Sequence, residues 1–95
     1  MLGMSEYISI DPEYTDDPDV VRIVTNLDLA PDGPERYPTR DQGEEGSALA
    51  QFLFEIEAIR ALNIDGGTLT VWRDPDVEWH TLIDEISTAL KEFFL

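Results

Sequence analysis

The sequence contains no cysteine, which excludes disulfides, thiol catalysis and cysteine-ligated clusters within its 95 residues. Basic residues are scarce: six Lys and Arg stand against 21 Asp and Glu, for a formal net charge of −15. Proteins bind duplex nucleic acid through cations that release counterions, so this balance argues against a nucleic-acid partner. An anionic membrane surface would repel the chain for the same reason. Histidine occurs once, at His80, too few for a multi-histidine zinc site; a surface histidine is expected there. No apolar run approaches the roughly 18 residues of a membrane span. The opening Met1-Leu2-Gly3-Met4-Ser5 lacks the basic and apolar regions of an export signal. A cytoplasmic protein is the expectation. The glycines show no phosphate-loop spacing, and there is no Gly-x-Ser-x-Gly elbow. These absences predict a chain that is not an enzyme and carries no cofactor.

Apolar residues make up 42% of the chain, ordinary for a folded domain. The length suits one domain, 1–95, and a monomer is expected. The acidic coat fits either a positively charged protein partner or simple solubility.

Composition changes near Ser47. The first 46 residues hold five of the six prolines and twelve acids. Tyr7-Ile8-Ser9-Ile10 alternates as a short strand would, and Asp11 to Asp19, with Pro12 and Pro18, reads as a turn-rich connection. Val20 to Thr25 predicts a strand with Val21 and Ile23 on one side and Val20, Arg22 and Val24 on the other. Glu35-Arg36-Tyr37 suits a brief edge strand, and 38–46 reads as a loop.

Ser47 is a good N-cap for a helix of about ten residues carrying Leu49, Phe52, Leu53 and Ile56 on one stripe. Ala58–Ile64 and Thr68–Arg73 then form a hairpin about Asp65-Gly66-Gly67. Asp76 is placed to cap a final helix, with Glu78 in its first turn and Trp79, Leu82, Ile83, Ile86, Leu90 and Phe93 as its apolar stripe. The expected fold is α+β: a small, mainly antiparallel sheet of four to five strands with two helices packed on one face.

Two features point to binding. Trp72 falls on the same side as Val20, Arg22 and Val24, and no helix remains to cover that side, so an aromatic-centred contact surface is one reading. The other is that residues 26–46 fold across it. Phe94, at the end of the final helix, is either additional core or a small docking tip. Asp16, Asp17 and Asp19 cluster in a turn and could attract a hard cation, although the ordered calcium-loop pattern is missing.

The segment Thr15-Asp16-Asp17-Pro18-Asp19-Val20-Val21-Arg22-Ile23-Val24 resembles an early signature of the N-terminal domain of Nfu-type iron–sulfur scaffold proteins. In that family a threonine is followed by Asn-Pro-Asn and a strand bearing a lysine and an aromatic. Ser47-Ala48-Leu49-Ala50 and Leu53-Phe54-Glu55-Ile56-Glu57-Ala58-Ile59 resemble its second signature, Ser-Pro-Leu-Ala followed by Leu-Phe-x-Ile-x-Gly-Val. Here aspartates replace the asparagines, Ala48 the proline and Ala58 the glycine. In the family, cluster binding belongs to a separate Cys-x-x-Cys domain, so the resemblance is to a stand-alone form without it. It implies an accessory module that binds an iron–sulfur scaffold or client protein and does not ligate a cluster. An iron or divalent-cation carrier using Asp16, Asp17 and Asp19 is the alternative.

Overall fold

In the computed structural model, which describes residues 8–94, five strands form one antiparallel sheet. They are β1 (Ile10–Tyr14), β2 (Val20–Thr25), β3 (Glu35–Tyr37), β4 (Ile59–Asp65) and β5 (Thr68–Arg73), in spatial order β1-β2-β5-β4-β3. Three helices, α1 (Arg40–Glu44), α2 (Ala48–Leu53) and α3 (Trp79–Phe94), complete the fold. The α+β expectation holds, with one more helix than the two anticipated.

Strand alternation decides which face is buried. Val21 and Ile23 of β2, Leu62 and Ile64 of β4, and Leu69 and Val71 of β5 are fully buried in one cluster. Leu49, Ala50 and Leu53 of α2 and Trp79, Leu82, Ile86, Ala89 and Leu90 of α3 belong to the same core. The helices therefore lie on one side of the sheet. Ser47 caps α2 as its sequence suggests, its hydroxyl accepting from the Ala50 N–H at 3.2 Å.

The β4–β5 hairpin turns on Gly66, whose φ of +59° is the left-handed backbone that glycine adopts without a Cβ penalty. Gly67 beside it lies against the end of β2, where a Cβ would come within 2.8 Å of the Thr25 carbonyl oxygen. That closeness serves a purpose: the Gly67 carbonyl accepts from both the N–H and the hydroxyl of Thr25, each at 2.8 Å. The hairpin tip and the end of β2 are thereby fastened together.

Several boundaries differ from the sequence reading. The first strand is Ile10–Tyr14 rather than Tyr7–Ile10, and Tyr7 lies outside the described residues. Pro12 sits within this strand, which the sheet tolerates because β1 is an edge. The helix after Ser47 spans six residues, not ten. Asp76 does not cap α3: its N–H donates to Asp74 Oδ1 at 3.0 Å, and α3 starts at Trp79, just past Glu78.

Residues 40–44, read as loop, form α1. Thr39 caps it by accepting from the Gln42 N–H at 3.3 Å. Gly43 is buried against the Phe54 ring, where a Cβ would sit 1.9 Å from a ring carbon. Arg40 does the rest: its guanidinium donates to the Ile59 carbonyl at 2.6 Å, the Ile56 carbonyl at 3.2 Å and the Phe54 carbonyl. It also lies 5.5 Å from the Phe54 ring centroid, a cation–π contact. A tertiary staple, not local propensity, makes this helix.

Candidate protein-contact surface

The period-two alternation that buries Val21 and Ile23 turns Val20, Arg22 and Val24 to the other side of the sheet, as expected. Strand register brings Trp72 opposite Val20 on β2 and opposite Ala61 on β4. A second row runs across all five strands: Glu13, Arg22, Thr70, Asn63 and Arg36. Among the described residues no helix covers this face. Residues 26–46 do not fold across it; Leu29, Ala30 and Tyr37 from that segment are buried in the core instead. Trp72 and Val24 are half-buried, Arg22 is exposed, and Val20 is nearly enclosed although it lies outside the core cluster.

Beside Trp72 is a depression of about 480 Å³ lined by Arg36, Pro38, Arg60, Ala61, Asn63 and Trp72. A second, of about 430 Å³, is of mixed charge: Arg22 and Arg36 line it together with Glu35 and Asp65, beside Asn63, Thr68 and Thr70. They share Arg36 and Asn63. The sequence reading missed Arg36, Arg60 and Asn63. Arg36 carried a usable signal, since it is the middle residue of a three-residue strand whose flanks face the core.

Three of the six basic side chains thus gather on the open face. Arg22 pairs with Glu13 at 3.5 Å and Arg60 with Asp74 at 3.4 Å, both at the surface, where such pairs contribute at most about 1 kcal/mol. Arg36 is in no ion pair among the described residues. The Asp74 carboxyl is held below its ordinary pKa, chiefly by the hydrogen bond from the Asp76 N–H. Burial acts in the opposite direction, and the bond and charge of Arg60 lower it further.

The other sequence candidates fall elsewhere. Phe94 lies on the helical side, its ring 5.1 Å from that of Phe93, which in turn meets Phe52 at 5.6 Å. His80 is exposed and 3.4 Å from Glu78. Asp17 accepts the Asp19 N–H at 2.9 Å, and Asp19 accepts from Arg73 Nε at 3.2 Å. Both aspartates help hold the turn before β2, which the Trp79 indole also pins by donating to the Pro18 carbonyl at 2.8 Å. Asp16 joins no such arrangement, and among the described residues no three His, Asp or Glu side chains converge as a metal site.

Residues 10–95 match the family described as scaffold protein Nfu/NifU N terminal. The chain belongs to that family. Membership carries a non-enzymatic, protein-interacting role accessory to a scaffold. No curated protein matches the chain. Among solved structures, a NifU-like protein from Saccharomyces cerevisiae is 20% identical, with a TM-score of 0.75 over 97% of this chain and 82% of that one. The crystal structure of protein SAV1430 from Staphylococcus aureus is 13% identical, with a TM-score of 0.68 over 85% of this chain and 96% of that one. At such identities the likeness is one of fold. No described helix is long and apolar enough to cross a membrane.

Proposed function

We propose that this Nfu N-terminal domain is an accessory protein-binding module in iron–sulfur cluster assembly, and that it engages a scaffold or client protein through the open face of its sheet. Family membership supports the setting. The observation that carries the surface assignment is Trp72, half-buried beside a depression on the face that the helices leave uncovered. Tryptophan and arginine contribute disproportionately to protein interfaces, because they combine large apolar contact with directed hydrogen bonding. Arg22 and Val24 extend the same surface; Val20, nearly enclosed, adds little to it, and Phe94 belongs to the opposite side.

Amide NMR titration of the isotope-labelled chain with a purified iron–sulfur scaffold protein tests this reading. The Trp72 indole and the amides of β2 and β5 are expected to shift. The buried indole of Trp79, held by Pro18, serves as an internal control. Shifts confined to α2 and α3, or no shift at saturating scaffold, would overturn it.

A further inference from the structure

The distribution of positive charge narrows what the open face accepts. In a chain of net charge −15, three of six basic residues stand on this one surface. Arg36 and Arg60 line the depression beside Trp72, and Arg22 lines the adjoining one. Arg40 and Arg73 are engaged elsewhere, Arg40 with backbone carbonyls and Arg73 with Asp19, the Val77 carbonyl and the Trp79 ring.

We infer that the open face takes an extended acidic segment of a protein partner, with an apolar side chain over Trp72 and a carboxylate between Arg36 and Arg60. This rests on the docking surface proposed above and names the chemistry of its occupant. Ala61, Pro38 and Trp72 supply apolar lining, while the two guanidiniums present planar donors that match a carboxylate. Arg36, in no ion pair among the described residues, is placed to meet the incoming carboxylate. Arg60 exchanges its surface pair with Asp74, a weak one, for the new contact. The adjoining depression shares Arg36 and Asn63 but is also lined by Glu35 and Asp65, and Arg22 there pairs with Glu13. The acidic contact is therefore confined to the end between Arg36 and Arg60. The chain's remaining negative charge opposes such a partner at long range. Carboxylates also stand on the face itself: Glu13 beside Arg22, Asp74 beside Arg60, and Glu35 and Asp65 in the adjoining depression. Selectivity for the acidic segment therefore comes from the Trp72 depression, whose lining holds two arginines and no acid.

The probes are three eight-residue peptides of alternating sequence, Glu-Leu, Gln-Leu and Lys-Leu, followed through the Trp72 and Trp79 indole resonances. The Glu-Leu peptide is expected to shift Trp72 alone and to bind at least about tenfold more tightly than the Gln-Leu peptide. Arg36→Gln and Arg60→Gln should each weaken it by about tenfold, with thermal melts unchanged. Equal binding of the Gln-Leu peptide, or tighter binding of the Lys-Leu peptide, would overturn the inference. So would absence of binding by all three peptides when a purified scaffold protein still shifts Trp72, an outcome that leaves the docking surface standing. If neither the peptides nor the scaffold protein moves Trp72, both the inference and the docking surface fall.

Discussion

The two faces of the sheet are built from the same strands, yet they serve opposite ends. On the inner face Val21, Ile23, Leu62, Ile64, Leu69 and Val71 are sealed beneath the helices. On the outer face, the intervening residues carry hydroxyls, an amide, arginines and one tryptophan. Strand propensity does not separate the faces, since β-branched residues occur on both. The difference lies in what covers each side, and it sorts the cations as well. Arg40 is drawn in to satisfy carbonyls between α2 and β4, while Arg36, four residues earlier, remains outside as an edge of the open surface. A shared backbone thus supports a rigid layer and an available one.

The largest test of this contrast removes one aromatic or aliphatic side chain from each face. Leu62→Ala opens a cavity in a fully buried position and is expected to lower stability by about 3 kcal/mol. Trp72→Ala, on the open side, should cost only about 1 kcal/mol in urea denaturation. Similar losses at the two positions would erase the distinction.

The arginines give a smaller and sharper comparison. Arg40→Ala removes the guanidinium bonds to the Phe54, Ile56 and Ile59 carbonyls and should cost about 2 kcal/mol, with early loss of amide-exchange protection in α1. Arg36→Ala should change stability by no more than about 0.5 kcal/mol. An Arg40 variant as stable as the Arg36 variant would show that the staple does not hold the helix.

The smallest effect concerns Asp74, whose carboxyl is acidified chiefly by the Asp76 N–H and secondarily by Arg60. A carboxyl with a lowered pKa in the folded state adds stability above its unfolded pKa, and that increment is lost as pH falls through the folded value. Asp74→Asn should therefore flatten the acid limb of the stability curve slightly and leave its slope near neutrality unchanged. An unchanged acid limb would mean that this carboxyl has no part in it.

Much of the fold was legible because its signals are local. Alternation in Val20–Thr25, the glycines of the hairpin, the Ser47 cap and the stripe of the final helix all act within a few residues. The same alternation placed Val20, Arg22, Val24 and Trp72 on a common side. What escaped depends on partners distant in sequence. Helix α1 contains Gly43 and few apolar residues, and it exists because Arg40 reaches 14 to 19 residues along the chain. Arg36 and Asn63 become neighbours only through pairing of β3 with β4, which the sequence does not announce. Strand β1 was displaced because a proline there reads as a turn until its edge position is known. The Asp76 cap failed because the helix starts at Trp79, too far along for the Asp76 side chain to serve its first turn. Asp76 belongs instead to a turn in which its N–H donates to Asp74.

The fastening of the hairpin tip to Thr25 also bears on how the chain acquires its shape during synthesis. Strand β2 borders β1 on one side and β5 on the other, and its β5 partner begins only at Thr68. Translation at about 5–20 residues per second therefore leaves one side of β2 bare for several seconds after Thr25 has been made. Throughout that interval Val21 and Ile23 lack β5 beside them and α3 above them. Closing the Gly66–Gly67 turn supplies a finished edge at once, and the Thr25–Gly67 bonds set the register in which β2 joins it.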